Sequence, residues 1–138
     1  SPRMSLQMYL QPLLSTGTYT GFKEAAAPRT YDFLTYGQDT GTISFDADAG
    51  AYLVYPGPGG TGNPFLIPNP DFNYTSLRGT TVFRWEFKPG STFYVVWTSE
   101  REDETTEGTL SFNQDISRMM RAPGDNVFMV KMSYWFGR

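Results

Sequence analysis

Residues 126–136 read NVFMVKMSYWF, and two sets of side chains alternate along the whole stretch. The first set is Phe128, Val130, Met132, Tyr134 and Phe136, and the second is Met129, Lys131, Ser133 and Trp135. Because successive side chains of a strand point to opposite faces, this period of two predicts a β-strand. A long strand that is rich in aromatic residues and carries one charge is typical of the wall of an outer-membrane β-barrel.

Three more segments, residues 3–13, 77–88 and 92–100, repeat this alternation. One side of each segment is apolar, and the residues on that side are Met4, Leu6, Met8 and Leu10, then Phe83, Trp85 and Phe87, then Phe93, Val95 and Trp97. Pro89 and Gly90 separate the second segment from the third, and this pair favours a tight turn. The sequence therefore predicts an antiparallel hairpin over residues 78–100 and, with residues 126–136, an antiparallel meander.

The rest of the chain is predicted as long loops around this meander, within a single β-domain over residues 1–138. Residues 15–76 are interpreted as a long loop insert with short candidate strands at 30–36, 42–45 and 51–55. Within it, residues 56–64 carry so many Gly and Pro that we expect a mobile loop. Residues 101–125 are predicted as a loop with an acidic tract and one short helix, about 113–121, which ends before Pro123.

Composition excludes several classes of function. The net charge of -3 at pH 7 argues against nucleic acid as a partner, because phosphate binding needs clustered Lys and Arg. The chain has neither His nor Cys, which removes the Ser-His-Asp triad, thiolate nucleophiles and imidazole or thiolate metal ligands. No catalytic residue and no cofactor is predicted, so we expect a protein that is not an enzyme.

Four strands are too few to close a barrel, since the smallest outer-membrane barrels have eight. Unpaired strand edges are costly in hydrocarbon, so a barrel would require further strands from a larger chain or assembly. This interpretation places the chain in the bacterial outer membrane, with lipid as a partner and a role in transport or surface anchoring. The alternative is a soluble β-sandwich or small barrel, secreted or periplasmic, with its aromatic residues turned inward.

Seven short segments along the chain resemble an uncharacterised family of large bacterial outer-membrane proteins. The matching segments are RMSLQ at 3–7, PRTYDF at 28–33, PNPDFN at 68–73, LRG at 77–79, RWE at 84–86 with PGST at 89–92, and APGDNVF at 122–128. In that family a family-nine-like carbohydrate-binding module precedes a porin-like β-barrel. The resemblance implies that this chain is the C-terminal, barrel-forming portion, and it implies no catalytic residue.

Three groups of residues are candidates for binding or catalysis. Tyrosines that we expect on loops predict carbohydrate binding by ring stacking, and they are Tyr31, Tyr36, Tyr52, Tyr55 and Tyr74. Asp46 and Asp48, followed by Gly50, have the oxygen spacing that opens a calcium loop, although position twelve is Gly57 instead of an acid. Glu86 with Glu100 or Asp71 would be the carboxyl pair of a glycoside hydrolase, the third and weakest functional alternative.

Overall fold

The chain is all-β apart from one short helix, as the sequence predicted, and the computed structural model describes residues 3–137. Nine strands and one helix lie in this range: β1 (Met4–Gly17), β2 (Lys23–Ala25), β3 (Phe33–Thr35), β4 (Thr42–Asp46), β5 (Ala51–Tyr55), β6 (Phe65–Pro68), β7 (Phe72–Lys88), β8 (Ser91–Thr105), α1 (Phe112–Arg121) and β9 (Gly124–Ser133). No helix in the described range is long and apolar enough to cross a membrane.

The residues form two compact units. The long-sheet unit contains the residues up to Thr16, Asn73–Thr105 and the residues from Thr109 onward. The small-sheet unit contains Gly17–Phe72 and Thr106–Gly108. The single β-domain over residues 1–138 stays a prediction.

The long-sheet unit is built on one open, four-stranded sheet in the order β1-β7-β8-β9. β7 pairs antiparallel with β8 from Asn73↔Thr105 to Glu86↔Thr92, and β8 pairs antiparallel with β9 from Thr92↔Ser133 to Arg101↔Gly124. The predicted Pro89-Gly90 turn joins β7 to β8, and Gly90 has the positive φ of 75° that glycine accommodates. The backbone N–H of Glu86 donates to Arg3 O at 2.7 Å, at the start of β1 and the end of β7.

Three strands of this sheet are longer than the sequence predicted, and the fourth is shifted: β1 ends at Gly17 instead of residue 13, and β9 runs from Gly124 to Ser133 instead of 126–136. β7 begins at Phe72 instead of residue 77, and β8 continues through the acidic tract to Thr105. Along that tract Glu100, Glu102 and Glu104 are exposed, whereas Arg101 and Asp103 are half-buried. The three exposed glutamates alternate with Arg101 and Asp103, which contact α1. The distribution of charge along the sequence does not reveal this alternation.

Helix α1 connects β8 to β9 and begins one residue before the predicted position. Asp115 in its first turn and Arg118 and Arg121 in its last turn suit the helix dipole. Met119 is buried, and the helix ends before Pro123, which cannot continue it. The C-terminal half of the meander therefore has the predicted strand–helix–strand order.

The small-sheet unit replaces much of the predicted long loop insert with two small antiparallel sheets, β2-β3 and β4-β5-β6. β4 and β5 agree closely with the short strands predicted there, while β2 and β6 were not predicted. Val54 on β5 is completely buried, and Tyr36 is buried as well. A few apolar side chains meet across these short strands and stabilise them. The predicted loop insert, residues 15–76, is therefore only partly loop.

Candidate functional site

The long sheet has one apolar face. Strand register brings Thr81, Trp97 and Phe128 side by side, and Phe83, Val95 and Val130 likewise. A Cβ on Gly79 would lie 3.3 Å from Leu10 Cδ1, which places the even-numbered apolar residues of β1 on the same face. We call this surface the apolar band, and it consists of Met4, Leu6, Met8 and Leu10 on β1, Phe83 and Trp85 on β7, Phe93, Val95 and Trp97 on β8, and Phe128, Val130 and Met132 on β9.

Most side chains of the apolar band are exposed instead of forming a core, while Phe83, Phe93 and Val95 are half-buried. Leu6 is 66% exposed, Phe128 68% and Val130 63%. The indole of Trp97 stacks on the ring of Phe128 with centroids 6.1 Å apart, yet both rings remain exposed. An exposed apolar surface that spans four strands is unusual for a protein surrounded by water.

The opposite face of the same sheet, here called the polar face, carries charges and hydroxyl groups. Arg78 Nε lies 2.6 Å from Glu100 Oε1, and Arg84 Nε donates to Tyr94 Oη at 3.1 Å. Tyr74 Oη donates to Glu102 Oε2 at 3.1 Å. Val96 and Met129 interrupt this polar surface. The two faces of the sheet therefore differ in chemical character, one being mostly apolar and the other mostly polar.

A cluster of polar residues fastens α1 to β7 and β8, and we call it the helix cluster. Asp115, which is buried, accepts hydrogen bonds from Asn73 Nδ2 at 3.0 Å and from the backbone N–H of Ser111 at 2.8 Å. Arg118 forms ion pairs with Asp115 at 3.2 Å and with Asp103 at 2.9 Å. Every charge of the cluster has an opposite charge beside it, so the arrangement holds the helix in place.

Aromatic residues of the small-sheet unit surround an open cavity of about 250 Å³, the aromatic depression. Tyr52 is central to it, because its ring lies 4.6 Å from that of Phe22 and 5.0 Å from that of Phe45. Gln38 and Ser44 add polar groups to the lining. Three touching rings beside polar side chains could bind a ligand that has both apolar and hydroxyl-bearing surfaces.

The buried phenol of Tyr36 also lines the aromatic depression. Its hydroxyl donates to Glu24 Oε2 at 2.8 Å. Burial raises the pKa of Tyr36, and the hydrogen bond to the Glu24 carboxylate and its negative charge raise it further. The phenol is therefore neutral at ordinary pH and acts as a hydrogen-bond donor.

A family model described as a domain of unknown function, DUF5916, matches residues 59–137. The chain belongs to this family. The matched residues include β7, β8, α1 and β9, so most of the two-faced sheet lies within the family region. No curated protein and no solved structure is significantly similar to the chain.

The structure separates the five tyrosines that were predicted to bind carbohydrate. Tyr36 and Tyr52 line the aromatic depression together, whereas Tyr55 pairs with Thr42 on the small sheet and does not line it. Tyr31 is 96% exposed, and Tyr74 belongs to the long sheet, where Glu102 accepts its hydrogen bond. Phe22 was missed because it lies far from Tyr52 along the chain and shows no periodic signal for a shared site. Phe45 was missed as well, although it lies directly opposite Tyr52 in the β4–β5 hairpin, so the pairing of the two predicted strands could have indicated it.

The two aspartates that were predicted to ligate calcium lie in a turn between β4 and β5. Asp46 Oδ1 accepts hydrogen bonds from the backbone N–H groups of Asp48 and Ala49 at 3.0 and 3.1 Å. Within residues 3–137 no group of three or more acidic side chains is placed to hold a metal ion. The local geometry is that of an Asx turn.

The carboxylates Glu86 and Glu100 are not brought together. Glu86 pairs with Thr92 near one end of β8, and Glu100 lies eight positions further along that strand. At about 3.4 Å per residue this is a separation of about 27 Å, whereas a glycosidase pair lies about 5 to 9.5 Å apart. Glu86 instead accepts a hydrogen bond from the backbone N–H of Gly90 at 3.2 Å.

Proposed function

We propose that this chain forms part of the wall of a bacterial outer-membrane β-barrel and acts in transport or surface anchoring without catalysing a reaction. The observation that carries this proposal is the exposed apolar band on one face of the long sheet, with the polar face behind it. In a membrane barrel, apolar side chains that meet lipid alternate with polar side chains that meet the lumen.

Strand length supports the same proposal. A barrel strand needs about 9 to 11 residues to cross an outer membrane at its usual tilt. β1, β7, β8 and β9 have 14, 17, 15 and 10 residues. The three longer strands have residues to spare, which would extend beyond the hydrocarbon region.

The partners in this proposal are outer-membrane lipid and the remaining strands of a barrel. In the described part of the chain, β1 and β9 are the outermost strands of an open sheet, each paired on one side. Backbone groups left unpaired in hydrocarbon cost several kcal/mol each, so a membrane-embedded sheet needs both edges covered. A larger barrel chain or an assembly would supply the covering strands.

Spin labels attached to single cysteines test the proposal, because the chain contains no native Cys. Val130→Cys and Leu6→Cys place labels on the apolar band, and Met129→Cys and Gln7→Cys place matched labels on the polar face. The full protein is produced in outer membranes, and collisions with oxygen and with a water-soluble nickel complex are measured. We expect the first pair to collide mainly with oxygen and the second mainly with nickel. Preferential nickel collisions at Val130 and Leu6 would refute the lipid-facing assignment.

The aromatic depression favours a second candidate function, the binding of extracellular carbohydrate. Sugar rings offer apolar faces and hydroxyl edges, which suit the touching rings of Phe22, Phe45 and Tyr52 beside Gln38. Phe45→Ala is the test variant, because Phe45 is exposed and its removal leaves Tyr52 in place. Tyr31→Ala is the control. Retardation by neutral polysaccharides in native gels should fall for the first variant only, and equal retardation of both would contradict binding in the aromatic depression.

A further inference from the structure

A groove of about 180 Å³ lies beside the apolar band where α1 ends. Met8 and Leu10 of β1, Leu77 of β7, Trp97 of β8 and Met120 of α1 line it. These side chains come from three strands and the helix, so the groove exists only in the folded unit. The apolar walls of the groove are continuous with the apolar band, because Met8, Leu10 and Trp97 belong to both.

Gly79 on β7 keeps this groove open. Gly79 pairs with Ser99 on β8, and a Cβ at Gly79 would lie 3.3 Å from Leu10 Cδ1. Such a contact is tight for a methyl group, and any larger side chain would occupy the groove. The space that remains is lined mainly by Met8, Leu10, Leu77 and Trp97, and it suits an apolar group such as part of an acyl chain.

Arg101 lines the same groove and gives it a positive charge. Its Nη1 donates to the backbone carbonyl of Met120 at 2.6 Å. Among the described residues no carboxylate forms an ion pair with Arg101, and Asp103, two positions along β8, is already paired with Arg118 at 2.9 Å. The guanidinium therefore has donors left for an anion, and guanidinium–phosphate pairs are strong.

We propose that this groove binds an anionic phospholipid, with an acyl chain along Met8, Leu10 and Trp97 and the phosphate on Arg101. The inference rests on the proposed barrel-wall function, because it needs the apolar band to meet lipid. It adds a selective site to a surface that otherwise contacts any lipid. A cationic side chain near a bilayer surface favours an anionic lipid by about 1 kcal/mol, which is about a fivefold preference.

Fluorescence quenching by brominated lipids tests this site, because Trp97 lines the groove and Trp85 lies elsewhere on the apolar band. Two variants of the full protein, with any tryptophan outside this chain replaced by Phe, are reconstituted in phosphatidylcholine vesicles: W85F/W135F, which retains Trp97, and W97F/W135F, which retains Trp85. We expect brominated phosphatidylglycerol to quench Trp97 several-fold more effectively than brominated phosphatidylcholine, and both lipids to quench Trp85 equally.

Three other outcomes are informative. Equal quenching of Trp97 by both lipids would overturn the selective site and leave the barrel-wall function standing. Protection of Trp97 alone from both lipids would overturn it too, since a protein segment would then cover the groove. Protection of both tryptophans from every brominated lipid would refute the barrel-wall function itself.

Substitutions made in the Trp97-only protein separate charge from shape. Arg101→Gln should abolish the preference for phosphatidylglycerol, Arg101→Lys should keep most of it, and Arg78→Gln, on the polar face, should leave it unchanged. Gly79→Val fills the groove and should lower quenching by both lipids, whereas Thr80→Val on the polar face should not. An unchanged preference in Arg101→Gln would overturn the assignment of the phosphate to Arg101.

Discussion

Asn73 on β7 donates a hydrogen bond from Nδ2 to Oδ1 of Asp115 on α1 at 3.0 Å, and both side chains are buried. Arg118 joins the pair by donating from Nη2 to Asn73 Oδ1 at 3.0 Å and by its ion pair with Asp115. The amide and the two charges satisfy one another, which a buried polar group requires. This contact determines where α1 lies on the long sheet.

Removal of the Asp115 carboxylate is predicted to destabilise the long-sheet unit. Asp115→Ala would leave the backbone N–H of Ser111 without its acceptor, Asn73 Nδ2 with only the Thr109 carbonyl at 3.3 Å, and Arg118 with one ion pair fewer. We expect a loss of about 2 to 3 kcal/mol in the free energy of unfolding, measured by urea titration in detergent. Asp125→Ala, an exposed acid of the same unit, is the control and should change it by less than about 0.5 kcal/mol. Equal losses would contradict the assigned role of Asp115.

A charge on the apolar band should be costly, while the same charge on the polar face should not. Val130 and Met129 are neighbours on β9 with nearly equal exposure, 63% and 61%, but they lie on opposite faces of the sheet. Val130→Lys should reduce the free energy of folding into a bilayer by about 2 to 4 kcal/mol if its site lies near the membrane centre. Met129→Lys should be close to neutral. If the two variants refold into vesicles equally well, the band does not meet hydrocarbon.

The small-sheet unit should lose stability at high pH because of Tyr36. Its raised pKa means that the folded state holds the phenolic proton more tightly than the unfolded state, in which the pKa of the phenol is 10.0. The stabilisation is therefore complete below pH 10 and is lost as pH rises through the folded value. This loss of stability at alkaline pH should disappear in Tyr36→Phe and persist in the control Tyr31→Phe. Circular dichroism across a pH series measures it. If Tyr36→Phe lost stability at alkaline pH as the unsubstituted protein does, Tyr36 would not be the cause of that loss.

Two glycines of the small-sheet unit with similar backbone angles should respond differently to Ala. Gly41 and Gly50 have φ of 58° and 60°. A Cβ at Gly41 would collide with the carbonyl oxygen of Tyr55, whereas a Cβ at Gly50 meets nothing within 4 Å. Gly50→Ala should therefore show only the backbone penalty of about 1 kcal/mol, and Gly41→Ala about 3 kcal/mol. Thermal unfolding compares the two, and similar losses would show that the Gly41 contact relaxes freely.

Side-chain alternation predicted the long sheet well because a period of two is a local property of the chain. The positions of Phe128 and Val130, or of Trp85 and Trp97, needed only neighbouring residues to assign them to one face. The added strand residues 72–76 and 101–105 could not be predicted in this way. Asn73 and Asp103 look like loop residues until α1 covers them, and their burial depends on Asp115 and Arg118, which come later in the chain.

By itself, the sequence determined the all-β class, the meander of β7, β8 and β9, the helix and the two-faced character of the sheet, since each follows from local spacing or a local turn. Tertiary structure alone decided that Phe22 touches Tyr52 and that Arg101 lines an apolar groove beside Gly79. The physical reason is distance along the chain. Contacts between residues tens of positions apart arise only when sheets and helix pack, and no local period records them.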